Sequence, residues 1–157
     1  MRHFGRGLLY CGLIISTMVA MASSSNDKDE AIKKDRKLYE GTWRAVKLEV
    51  EGNKTGEEDA RKISVVNGDD GTWTLFAEGK QIAKGTSTID PTAKPKTIDF
   101  LVTEGDSKDM TSLGIYEIDE KTRKLCFAAV GKPRPKEFSS DSDNRNILVT
   151  FEREKSQ

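Results

Sequence analysis

The fold is decided by the stretch GTWRAVKLEV at residues 41–50. Val46, Leu48 and Val50 alternate there with Lys47 and Glu49, which is the period-two pattern of a strand with one buried face. We therefore predict a first strand over residues 42–50.

The same pattern recurs along the rest of the chain, between turns rich in Gly, Asp, Asn and Pro. The predicted further strands are residues 63–66, 72–77, 81–89, 97–103, 110–118, 124–130 and 146–152. Residues 57–62 combine good helix formers and predict a short helix, and a turn or two of helix is expected before Gly41. No connection between strands has room for a crossover helix. We predict an all-β fold: an eight-stranded, antiparallel, up-and-down barrel with one or two short helices.

Alternation along these strands also predicts which side chains point into the barrel. The predicted cavity-lining residues are Val46, Leu48, Trp73, Leu75, Phe100, Phe127 and Val149. All are uncharged, and an eight-stranded barrel either holds one small ligand or is filled by its own side chains. Two hypotheses follow. The first is a barrel that binds a small apolar or amphipathic molecule, and the alternative is an envelope or extracellular interaction module with a filled core.

Four stretches together resemble a planctomycete family of exported lipocalin-like domains with no established function. They are Gly41-Thr42-Trp43 with its strand to Gly52, Asp90-Pro91 through Lys94-Pro95 to Asp99, Gly114-Ile115-Tyr116-Glu117-Ile118, and Leu125-Cys126-Phe127-Ala128 followed by Arg134-Pro135-Lys136-Glu137-Phe138. The match covers about residues 35–154. The resemblance implies export and a lipocalin-like barrel, and it assigns no activity that could be carried over to this chain.

The resemblance to lipocalins also assigns a structural role to Trp43, which would close one end of the barrel beneath an arginine of the last strand. In the last strand, Ile147, Val149, Phe151 and Arg153 share one face by alternation. We therefore expect contact between Trp43 and Arg153, as a cation–π interaction.

The first 22 residues have the three-part layout of a secretory signal. Arg2, His3 and Arg6 precede an apolar stretch from Leu8 to Met21, and small residues stand at Ala20 and Ala22. The apolar stretch is about 14 residues, shorter than the ~20 of a membrane-spanning helix. We predict a signal peptide over residues 1–22 cleaved after Ala22, a flexible arm over residues 23–35, and a barrel domain over residues 36–154. The mature protein is then periplasmic or extracellular, and it meets a membrane only through the signal before cleavage.

Removing the signal removes the only histidine, His3, and one of the two cysteines, Cys11. The remaining Cys126 cannot form a disulfide within the chain, and zinc sites built from His and Cys are excluded, as are Ser-His-Asp and Cys-His nucleophile systems. Lys and Arg total 26 residues and Asp and Glu also total 26, without a basic stripe, so we expect no nucleic-acid partner. We predict no enzyme activity, no cofactor and no metal; the sequence assigns no oligomeric state.

Four features have a functional and a plain structural interpretation. Asp141-Ser142-Asp143-Asn144 resembles the start of a calcium loop but lacks the Gly and distal Glu of an EF-hand, so a solvated loop is favoured. Asp90 and Asp99 flank a Pro-rich loop, where a turn role is favoured over acid–base chemistry. The loop Arg134-Pro135-Lys136-Glu137-Phe138 is either a partner surface or, as favoured, a loop pinned by Phe138. Cys126 is either an apolar filler or an exposed thiol.

Overall fold

The computed structural model describes residues 20–155. Within that range the backbone forms a closed, antiparallel barrel of eight strands, with one extra short strand and two helices. The helices are α1 (Ala20–Tyr39) and α2 (Glu57–Ala60). The strands are β1 (Gly41–Val50), β2 (Asn53–Lys54), β3 (Ile63–Asn67), β4 (Thr72–Ala77), β5 (Lys80–Asp90), β6 (Lys96–Gly105), β7 (Thr111–Ile118), β8 (Thr122–Phe127) and β9 (Ile147–Arg153).

Each strand from β3 to β8 pairs with the next in sequence, β1 pairs with β3, and β9 returns to pair with β1. The short strand β2 adds a hairpin to the end of β1, where Glu49 lies opposite Lys54. The predicted all-β, lipocalin-like, up-and-down barrel is thereby confirmed, and β2 is the strand that the sequence pattern did not predict.

A β-bulge interrupts β1 and changes which of its side chains face inward. The pairing with β9 shifts register between Ala45 and Lys47, so Val46 has no partner opposite it. Trp43 and Ala45 face inward before the bulge, and Leu48 faces inward after it, opposite Val149. A bulge inserts one residue and reverses the alternation beyond it. The strict alternation that placed Val46 on the same face as Leu48 therefore does not hold across this point.

Helix α1 occupies the segment that was predicted to be a flexible arm, and that prediction is wrong. Residues 23–35 are helical, and Ile32 and Tyr39 pack against the barrel core. The Asp35 side chain, in a residue only 4% exposed, accepts hydrogen bonds from the Tyr116 hydroxyl and the Lys96 ammonium, each at 2.7 Å. The buried face of α1 is thus partly polar, and its charge is neutralised by partners on β6 and β7.

Candidate functional site

The inward faces of the strands divide the barrel into a closed half and an open half. In the closed half, next to α1, most of the inward-facing residues are buried. They include Trp43, Asn67, Ile98, Tyr116, Arg123 and Phe151. Helix α1 packs against this end through Tyr39, which is 1% exposed.

The open half has an inward surface that is almost wholly apolar and half-buried, and we call this surface the mouth. It consists of Leu48, Val50, Ile63, Leu75, Ala83, Phe100, Val102, Ser112, Phe127 and Ile147, placed inward by the register of the strands. At its rim the Val102 amide donates to the Met110 carbonyl, which continues the β6–β7 register, and Met110 is 44% exposed. Among these ten side chains, only Ser112 has a hydroxyl group, and none is charged.

Three aromatic rings in edge-to-face contact connect the mouth with the closed half. The Trp73 and Phe100 ring centroids are 6.1 Å apart, and those of Phe100 and Phe127 are 5.9 Å apart. Phe100 and Phe127 are half-buried, whereas Trp73 is only 8% exposed. Trp73 is therefore the deepest ring of the three and forms the floor of the mouth.

Strand β5 holds the Trp73 ring in place. The indole nitrogen of Trp73 donates to the Thr86 carbonyl at 3.0 Å. The ring lies against Gly85, where a Cβ atom would come within 2.3 Å of Trp73 Cζ2. Only glycine at position 85 leaves room for the ring in this orientation, because any side chain would overlap it.

Trp43 lies between two guanidinium groups in the closed half. The Arg153 Cζ atom is 4.2 Å from the Trp43 ring centroid, so the pair named by the lipocalin resemblance is in contact. Arg153 also donates to the Glu40 carbonyl at 2.5 Å and the Glu120 carbonyl at 2.8 Å. The Trp43 indole nitrogen donates to the Tyr39 carbonyl at 2.8 Å, which ties the ring to the end of α1.

The second guanidinium belongs to Arg123, a residue that the sequence reasoning missed. Arg123 is 2% exposed, and its Cζ lies 4.5 Å from the Phe151 ring centroid, 5.0 Å from that of Trp43 and 5.3 Å from that of Tyr39. Its Nη1 atom donates to Asn67 Oδ1 at 2.6 Å. Burial lowers the pKa of Arg123 to about 10, so the side chain stays charged at neutral pH. The alternation of Arg123 with Leu125 and Phe127 along β8 was the sequence signal that this side chain points inward.

Of the predicted lining residues, Leu48, Leu75, Phe100 and Phe127 belong to the mouth, and Trp73 and Val149 lie beneath it in the buried core. Val46 is the exception, since it occupies the bulge and lacks a register partner. The structure therefore brings six of the seven residues together around one apolar surface.

The long loop after β8 covers the outer face of β7 and β8. Arg134 Nη1 donates to the Gly114 carbonyl at 2.7 Å and lies 2.5 Å from Asp99 Oδ1, and Pro135 is buried. Phe138 is half-buried, and the Lys124 Nζ atom lies 5.0 Å from the centroid of the Phe138 ring. The loop is pinned to the barrel by Arg134 and Pro135 as well as by Phe138.

Beneath this loop, Cys126 is buried, and its Sγ atom lies 3.4 Å from the Ser139 carbonyl oxygen. Burial raises the pKa of the Cys126 thiol. A buried, protonated thiol is a poor nucleophile, so this cysteine fills space on the outer face of the barrel.

The carboxylates considered in the sequence are engaged in separate structural contacts. Asp90 binds the Lys28 ammonium at 2.6 Å and the Thr92 hydroxyl at 2.6 Å, which lowers the pKa of Asp90 to about 2. Asp99 is held by Arg134. The Asp141 carboxylate accepts the backbone amides of Asp143 and Asn144 at 2.9 and 2.7 Å, as in an Asx-turn. Residues 20–155 contain no cluster of three or more His, Cys, Asp or Glu side chains arranged to hold a metal ion.

Comparison of the chain with protein-family models, with curated proteins and with solved structures found no match. Among the residues that the structure describes, no helix has both the length and the apolarity needed to cross a membrane. The apolar composition and partial exposure of the mouth suit contact with an apolar molecule.

Proposed function

We propose that this protein is a non-enzymatic, exported binding protein of lipocalin-like type, which takes the apolar part of a small molecule into the mouth of its barrel. The observation that carries the proposal is the mouth itself, where apolar side chains that an ordinary core would bury remain only half-buried on the inner face of the barrel. Covering such a surface releases about 25 cal/mol for each Å² of apolar area removed from water. The exported lipocalin-like family that the sequence resembles is consistent with this role.

The absence of charge on the mouth supports an uncharged or amphipathic ligand whose apolar end enters first. A charged group placed among these side chains would lose hydration without gaining a partner. Lys84 and Glu104, on the strands that form one side of the mouth, face outward and form an ion pair at 3.3 Å. We infer that any polar group of the ligand stays at the rim, in contact with water.

Titration with an uncharged fluorophore, N-phenyl-1-naphthylamine, tests this function. We expect saturable binding with a micromolar Kd and energy transfer from Trp73, measured in a Trp43→Phe background. Val102→Lys places a charge in the mouth and should weaken binding at least about tenfold, because the ammonium must be desolvated or displace the probe.

Leu101→Lys is the matched control, since Leu101 is the next residue on β6, faces outward and is already 41% exposed. This variant should bind the probe as the unaltered protein does. Absence of saturable binding across several uncharged apolar probes would remove the ligand-binding role and favour the alternative, an interaction module that works through its loops.

We further propose that residues 1–22 are a secretory signal, cleaved after Ala22. The proposal rests on the basic start, the apolar stretch and the small residues at Ala20 and Ala22. Ser23 lies within α1, so the mature chain would start inside this helix. N-terminal sequencing of protein recovered outside the cytoplasm should read Ser23 first, and recovery of intact Met1 in a membrane fraction would contradict the proposal.

A further inference from the structure

The depth of the mouth depends on the orientation of the Trp73 ring. Gly85 leaves the space for the ring, and the hydrogen bond to the Thr86 carbonyl holds the indole nitrogen at 3.0 Å. Above the ring, Phe100 contacts it edge-on. Contacts with β5 and β6 therefore hold the ring in place between the mouth and the buried half of the barrel.

Beneath the ring the barrel interior is filled by the buried core, which is mostly apolar and includes Ile98, Leu125 and Val149. Asn67, opposite Trp73 in the β3–β4 register, accepts a hydrogen bond from the buried Arg123 guanidinium. Asn67 is the only side-chain hydrogen-bond partner of Arg123 among the described residues, so displacing it would leave a buried charge without a partner, which is strongly unfavourable. A packed interior of this kind does not accept a hydrocarbon chain.

We propose that Trp73 determines the length of the hydrocarbon group that the mouth accepts, and that the ligand class is amphipathic molecules with a short, uncharged apolar end. This inference rests on the proposed function and adds a length limit to it. Methylene groups that fit above Trp73 contribute to binding, and those beyond that length remain in water.

A homologous series of uncharged ligands, the n-alkyl maltosides from butyl to dodecyl, measures this limit by calorimetry. Each methylene that enters the mouth should raise the association constant about fourfold. The affinity should then stop rising at one chain length. Trp73→Leu should move that plateau to chains longer by about two methylene groups, because the smaller side chain opens space beneath the mouth.

Trp43→Phe is the matched control, since Trp43 is the other tryptophan and lies in the closed half. It should leave the plateau where it is. A second measurement needs no change at position 73: in the Trp43→Phe background, the shift of Trp73 emission should grow with chain length and level off at the same length as the affinity. This readout stands even where Trp73→Leu does not fold.

The outcomes separate the two proposals. If no alkyl maltoside binds saturably, the proposed ligand-binding function fails. If the maltosides bind but affinity rises through dodecyl without a plateau, or if a folded Trp73→Leu protein keeps the original plateau, binding stands and the role of Trp73 is refuted.

Discussion

At the scale of single residues, the closed end is organised around Trp43, which has a guanidinium against its ring from both Arg153 and Arg123. The Arg153 contact follows from alternation along the last strand combined with the lipocalin resemblance. Arg123 obeys the same alternation with Leu125 and Phe127, but an arginine in a strand ordinarily marks the solvent face. Three aromatic rings and the Asn67 amide make its burial tolerable, and those partners come from other strands and from α1.

Arg153→Ala should lower the free energy of unfolding by about 2 kcal/mol, because the cation–π contact is lost and the backbone carbonyls of Leu38, Glu40 and Glu120 lose their donor. Urea denaturation followed by Trp43 emission measures the change. Arg145→Ala is the control, since Arg145 pairs with Glu51 at the exposed surface and should cost less than about 0.5 kcal/mol. Equal effects of the two substitutions would mean that Arg153 does not stabilise the closed end.

At the scale of elements, the strands were predictable because each has one face in the core and one in water. Strand β4 has the predicted bounds, and most other strand ends differ by one or two residues. Strand β2 was missed since its two exposed residues carry no alternation. The bulge in β1 was missed because it is defined by pairing with β9 and leaves no sign in a single strand.

Helix α1 shows why a charged segment was mistaken for a flexible arm. Its buried face consists of Ile32, Asp35, Arg36 and Tyr39, at the i, i+3, i+4 and i+7 positions of a helical stripe. Two of these four residues are charged, so the stripe is not visible in an apolar pattern. Their partners are distant in sequence: Arg36 Nη1 donates to the Ser87 hydroxyl at 2.9 Å, and Asp35 accepts from Lys96 and Tyr116. Burial and the hydrogen bond to Asp35 both raise the pKa of the Tyr116 hydroxyl, so it remains a donor.

For the mouth, alternation predicted the apolar lining but not its division into an exposed and a buried layer. Whether Phe100 or Trp73 lies deeper depends on ring contacts between strands and on the space left at Gly85. These are packing relations, and the order of residues along one strand does not contain them.

At the scale of the whole molecule, the barrel is asymmetric along its axis. The end beneath α1 combines buried aromatic rings, the Trp43–Arg153 contact and the Asp35 hydrogen bonds. The opposite end has half-buried side chains and long or polar connections, including residues 106–110 and 128–146. A binding site at the less constrained end places ligand contact where local opening costs the least free energy.

Amide hydrogen exchange should reveal this asymmetry within a single strand pair. Strands β5 and β6 run from the closed end, where Ile89 lies opposite Ile98, to the open end, where Ala83 lies opposite Gly105. Amides near Ile89 and Ile98 should exchange at least about tenfold more slowly than those near Ala83 and Gly105, because opening the closed end exposes a buried core to water. Saturation with N-phenyl-1-naphthylamine should slow exchange only in the open half, since the probe covers the mouth and does not reach the closed half. Uniform protection along both strands, or protection by the probe near Ile89 and Ile98, would contradict an asymmetric barrel with its binding surface at one end.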